Sequence, residues 1–145
     1  MKYTNENIIN LPLEKVVTLF DNAENLPKWM EGLQSYEHLS GTPGQPGAKA
    51  RLKFKMGGRE MDMIETITAN HLPHELSGTY EMNGVVNFIS NKFERISENQ
   101  TRYYTENEFK FQGFMKFIAF LMPGAFKKQS QKYLDAFKAF AESQA

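Results

Sequence analysis

The feature that most constrains the fold is the stretch from Leu33 to Phe111, where apolar residues recur at every second position between clear turn signals. A period of two puts successive side chains on opposite faces of a strand, so this stretch reads as sheet and not as helix. Gly57-Gly58 and Asn83-Gly84 suit two-residue hairpins in which both central residues take positive φ. Ser97 to Thr101 suits a three-residue loop, and Asn70 to His74, which contains Pro73, suits a looser connection. The strands therefore form an antiparallel meander.

These turns fix a register that side-chain chemistry can test. Around Gly57-Gly58, Met56 faces Arg59, Phe54 faces Met61 and Leu52 faces Met63, while Lys55 faces Glu60 and Lys53 faces Asp62. One face is thus apolar, and the other sets opposite charges across from each other. Around Asn83-Gly84, Met82 faces Val85, Tyr80 faces Asn87 and Gly78 faces Ile89. Around the Ser97 loop, Ile89 faces Phe109, Asn91 faces Asn107 and Lys92 faces Glu106. Each hairpin gives a charged outer face and a mostly apolar inner one, and that agreement supports the register.

The flanking segments supply the other layer. Lys2 to Asn10 reads as a weak first strand. Pro12 can open a helix whose apolar face is Val16, Val17 and Phe20. Asn22 can cap a second short helix that runs through Trp29 and ends at Gly32. From about Gly124 to Glu142, the residues Phe126, Ser130, Tyr133, Leu134, Phe137, Phe140 and Ala141 recur at helical spacing, and Lys138 stands four residues before Glu142. The concave sheet face is the only surface large enough to cover that aromatic stripe. The expectation is an α+β chain, with a curved antiparallel β-sheet wrapped around a long C-terminal α-helix and two short helices after the first strand. Its 145 residues suit one domain spanning residues 1–145.

Composition narrows the function. Lys plus Arg and Asp plus Glu each number 17, so the basic excess that nucleic-acid binding requires is missing. The absence of Cys removes disulfides, thiolate metal sites and a Cys nucleophile together. Met1 to Glu6 is polar, and the apolar run Phe117 to Met122 is far short of the ~20 residues of a membrane helix. A cytoplasmic location with no stable membrane insertion is expected. Twelve Phe, eight Met and six Tyr fit either a Phe-rich core or the wall of an adaptable cavity.

No phosphate loop or nucleophile elbow is present, since Gly41 to Gly47 lacks the Gly-Lys-Ser/Thr ending and does not open a helix. His71 and His74 flank Pro73 in a turn, and His38 stands alone; they read as surface histidines, with no metal and no cofactor expected. The inner face nevertheless carries Glu65, Asn87, Asn91, Thr105 and Asn107. If Ala69 faces Leu76, Glu65 falls opposite Tyr80, and Glu65, Tyr80 and Asn87 form a row across three strands, with Asn91 and Asn107 a second polar pair. Such groups can satisfy one another, orient the polar end of a ligand, or use Glu65 with Tyr80 as acid and base. The run Phe114 to Met122 is expected to pack over one end of the cavity; a mobile gate or a lipid-loading, membrane-touching patch is the alternative. Trp29 covers the other side of the entrance or belongs to the core.

The order of elements, together with Leu11-Pro12-Leu13-Glu14-Lys15-Val16, Leu26-Pro27-Lys28-Trp29, Gly41-Thr42-Pro43-Gly44 with Gly47, Glu65-Thr66-Ile67-Thr68 and Phe137-Lys138-Ala139-Phe140-Ala141-Glu142, resembles the helix-grip superfamily, called SRPBCC or START-like. That group includes polyketide cyclases, lipid-transfer domains and plant pollen allergens. The resemblance implies a hydrophobic cavity and little about chemistry. The first expectation is a binding or transport module for a small hydrophobic or lipid-like molecule. A cyclase- or hydratase-like enzyme and a chaperone-activator-like interaction domain are the alternatives, and the chain is expected as monomer or homodimer. The expected ligand-binding residues are Trp29, Phe54, Met63, Glu65, Tyr80, Asn87, Ile89, Asn91, Tyr103, Asn107, Phe109, Phe126, Ser130, Tyr133 and Phe137.

Overall fold

Turn chemistry sets the strand order. A computed structural model describes the backbone of residues 1–145 and every side chain but that of Pro123. The strands are β1 (Lys2–Ile9), β2 (Leu33–Ser40), β3 (Lys49–Met56), β4 (Arg59–His71), β5 (Glu75–Met82), β6 (Val85–Ser97) and β7 (Gln100–Phe111). The helices are α1 (Leu13–Phe20), α2 (Leu26–Trp29), α3 (Phe114–Leu121) and α4 (Pro123–Ser143). The seven strands form one curved antiparallel sheet in the order β1-β7-β6-β5-β4-β3-β2, and this is the helix-grip arrangement. Every neighbour from β2 to β7 is a sequence neighbour; only β1 joins from a distance.

The register around Gly57-Gly58 holds from Met56 opposite Arg59 to Leu52 opposite Met63, and continues to Ala50 opposite Glu65. Tyr80 likewise pairs with Asn87 and Gly78 with Ile89. Gly57 and Gly58 both take positive φ, 56° and 80°. Asn83 does not, and only Gly84, at 76°, turns left-handed there. A side chain at Asn83 makes positive φ costly, and one permissive glycine suffices to close the turn.

Two register expectations are corrected. The Ser97 connection is tighter than a three-residue loop: Ser97 pairs with Gln100, and a bulge separates Ser97 from Arg95. Ile89 therefore pairs with Asn107 and not Phe109, Asn91 with Thr105 and not Asn107, and Lys92 with Tyr104 and not Glu106. An even slip keeps every side chain on its expected face, and Lys92 still reaches Glu106 diagonally at 2.7 Å. Near Pro73, Ala69 pairs with Ser77 and not Leu76. A bulge between Ile67 and Ala69 then absorbs one residue, so that Glu65 does meet Tyr80.

The core lies between the concave face and the helices. Pro12 precedes α1, and Leu13 and Val16 bury its inner side. The Asn22 side chain accepts from the Glu24 N–H, but it caps a single 3₁₀ turn, Ala23–Asn25, which leads into α2. Phe137 is fully buried, and its ring meets those of Phe20, Trp29, Tyr103 and Phe140. Towards its start, α4 is sewn to β1 by polar contacts. Tyr3 Oη lies 2.6 Å from Ser130 Oγ, Asn5 Nδ2 donates to Gln131 Oε1 at 2.8 Å, and Asn7 Nδ2 donates to the Leu134 carbonyl at 2.9 Å. β1 is an edge strand, and its inward row Tyr3-Asn5-Asn7 meets a helix instead of the oily interior.

The run expected to pack over one end of the cavity, or else to form a gate or an exposed patch, has one covered side and one bare side. α3 turns Met115, Ile118 and Ala119 inward, with Ala119 buried. Phe114, Phe117 and Phe120 remain 75%, 58% and 81% exposed, and Leu121 and Met122 are also exposed. An eight-residue helix can press only one side against the sheet, and this one is apolar at every position but Lys116.

Candidate functional site

The polar group that alternation places on the concave face of β4 is Glu65. The bulge after Ile67 matters here, because without it the register set at Pro73 would pair Glu65 with a neighbour of Tyr80. Tyr80 Oη donates to Glu65 Oε2 at 2.6 Å, and Tyr36 Oη donates to Oε1 at 3.1 Å. Burial, and then the adjacent Glu65 carboxylate, pushes both phenols above their ordinary range, so they stay protonated as donors at neutral pH.

This cluster borders a hollow of about 320 Å³. Its walls come from Phe20 and Asp21 at the end of α1, Leu26, Trp29 and Met30 around α2, Tyr36 and His38 on β2, and the concave residues Ala50, Ile67, Leu76, Tyr80, Ile89 and Asn91. Partial burial raises the Asp21 carboxyl at the mouth. No residue of α4 is among the lining, so the hollow lies beneath α1 and α2 and not, as expected, between sheet and C-terminal helix. The aromatic contacts among Phe20, Trp29, Tyr103 and Phe137 close the hollow against the C-terminal half of α4.

The residues singled out from the sequence fall into several places. Trp29, Glu65, Tyr80, Ile89 and Asn91 line the hollow. Tyr103 and Phe137 are core; Tyr103 Oη donates to Asn91 Oδ1 at 2.9 Å and so holds that amide from behind. Phe54 is buried in a second cluster with Leu33, Ala50 and Leu52, and Met63 packs on it. Phe109 and Phe126 pack together near the start of α4, where Ser130 bonds Tyr3. Tyr133 is half-buried. Asn107 Nδ2 donates to Thr105 Oγ1 at 3.1 Å, while Asn87 Oδ1 and Asn107 Oδ1 are buried with no hydrogen-bond partner among the described residues. His71 and His74 are exposed, and His38 Nε2 contacts the Gly41 carbonyl.

Sequence reasoning missed Tyr36, Asp21 and Asn70. Tyr36 pairs with Leu52, which puts it inward and diagonal to Glu65, but bulges between Leu33 and Ser35 and between His38 and Ser40 hide that from simple alternation. Asn70 follows the β4 bulge, and its Nδ2 donates to the Gly44 carbonyl at 2.6 Å, tying the Gly/Pro loop to the rim.

A family profile described as polyketide cyclase / dehydrase and lipid transport matches residues 1–142. No functionally curated protein matches the chain by sequence. Among solved structures, a conserved protein from Geobacillus kaustophilus is similar with a TM-score of 0.80 at 16% identity, covering 99% of this chain and 96% of that one. The Zhui aromatase/cyclase from Streptomyces sp. R1128 gives 0.78 at 10% identity, covering 98% and 93%. Ara h 8.0201 gives 0.75 at 18% identity, covering 99% and 98%. At these identities the likeness concerns the fold alone.

Proposed function

The chain belongs to the polyketide cyclase / dehydrase and lipid transport family, and from that premise we propose that it holds a compact, largely apolar molecule in the hollow beneath α1 and α2. The observation that carries this reading is Glu65, an acid on the concave face, held by two phenols beside a hollow of about 320 Å³. A carboxylate on such a wall is costly unless it is hydrogen-bonded, and the two phenols offset that cost while fixing both oxygens in place. Each of its oxygens accepts one phenol and keeps a further lone pair, so the partner it suits is a hydrogen-bond donor such as a hydroxyl or an amine. The volume lies near the lower end of small-molecule pockets, about 300–1,000 Å³, which favours a compact ring system over a two-chain lipid.

Native mass spectrometry of gently purified protein, with fluorescence titration by 2-naphthol, tests this. Uptake of one apolar molecule per chain is expected, and Glu65→Gln is expected to weaken 2-naphthol about tenfold while leaving naphthalene binding unchanged. An interior that takes up neither probe and carries no adduct would sink the reading. A cyclase-like activity is the second reading, favoured by the 2.6 Å contact between Tyr80 and Glu65. It requires turnover of an aromatic precursor that both Glu65→Gln and Tyr80→Phe abolish; uptake without turnover decides for binding.

A further inference from the structure

α3 satisfies the sheet with one side and leaves a second apolar side, Phe114, Phe117, Phe120 and Leu121, in water. Contiguous exposed aromatic surface of this kind marks an interaction site. The charge around it identifies the partner. From Phe109 to Leu134 the chain holds Lys110, Lys116, Lys127, Lys128 and Lys132 and no acidic residue, within a sequence whose basic and acidic side chains balance at 17 each. Lys116, Lys127, Lys128 and Lys132 are all exposed, and none of them joins an ion pair among the described residues. Some basic side chains elsewhere do find carboxylates, as Lys92 does with Glu106, Arg102 with Glu6 and Lys138 with Glu142; what sets this stretch apart is that it holds no acidic residue at all. α4 starts immediately after α3, so Lys127 and Lys128 stand within two turns of the apolar face.

We infer that the outward face of α3 and its flanking lysines dock the protein on an anionic lipid surface. Aromatic side chains enter the headgroup layer while lysines meet the anionic headgroups. A second copy of the chain fits this face poorly, because a two-fold contact repeats the same patch on both sides and would set unpaired lysines against unpaired lysines. No helix of the described residues is long and apolar enough to cross a membrane, so the attachment is peripheral. None of these residues lines the hollow at Glu65, so the inference stands apart from the ligand reading.

Cosedimentation of the full chain with vesicles tests it. Binding is expected to phosphatidylcholine vesicles containing phosphatidylglycerol, not to phosphatidylcholine alone, and to fade as salt rises from about 0.1 M to about 0.5 M. Phe117→Ser with Phe120→Ser, and separately Lys116→Glu with Lys128→Glu, are each expected to lower the bound fraction, the charge pair at least about tenfold in partition coefficient. All four side chains are exposed, and circular dichroism verifies that the variants fold. Failure to bind the anionic vesicles, equal binding to both vesicle types, or wild-type binding by folded variants would each overturn the inference. So would a dimer dissolved by the phenylalanine pair in a chain that ignores vesicles.

Discussion

Glu65 draws together side chains from three strands, and the phenols it holds make the fold sensitive to alkali. Burial raises the phenols of Tyr36, Tyr80 and Tyr103, and Glu65 raises the first two further. In the unfolded chain a tyrosine loses its proton near pH 10. Above that pH the native protein holds protons that the unfolded chain has released, so stability is complete below about pH 10 and declines as pH climbs towards the higher native values. Thermal melting is expected to be flat up to about pH 10 and to fall beyond it, with tyrosinate absorbance appearing together with unfolding. Ionisation of all six tyrosines near pH 10 in protein that is still folded would contradict this. The pairing of Glu65 with Tyr80 was legible in the sequence because hairpin turns and alternation reach it from both sides. Tyr36 was not, because bulges at both ends of β2 break the period that alternation relies on.

At the scale of elements, the bulge in β4 and the close approach at Gly78 act together. A Cβ on Gly78 would come within 2.8 Å of the Thr66 carbonyl, on the strand next door and beside the bulge. Gly78→Ala must push β4 and β5 apart, at a cost of about 1–3 kcal/mol. A lower denaturation midpoint by circular dichroism is expected; unchanged stability would show that the two strands can slide at no cost. The hairpins and α4 were readable because each follows one period and one cap or turn. α3 is only half legible, because Phe114 to Met122 has the composition of buried chain, and periodicity cannot reveal that no layer covers its outward side. The hollow was misplaced for a related reason: the α4 stripe gives the number of aromatic rings but not that Phe20, Trp29 and Phe137 would close against one another.

Across the whole molecule, two unlike attachments hold α4. One end drives Phe137 into a nest of aromatic rings; the other lies along β1 on amide and hydroxyl contacts. Phe137→Ala is expected to cost about 3–5 kcal/mol, a large part of the stability of a domain this size, and to show as a marked fall in the urea midpoint. A loss under about 1 kcal/mol would mean that the neighbouring rings collapse into the space.

The pairing of Lys2 with Glu108 and of Ile9 with Thr101 also has a consequence for synthesis. Made at about 5–20 residues per second, β1 waits roughly 5–20 s in the open before β7 exists to receive it. A strand with two greasy faces would be a hazard over that interval. β1 offers Lys2, Thr4 and Glu6 on one face and Tyr3, Asn5 and Asn7 on the other, and its only aliphatic residues, Ile8 and Ile9, stand at its end. The amides that later fasten the helix first keep a nascent strand from sticking to the wrong neighbour.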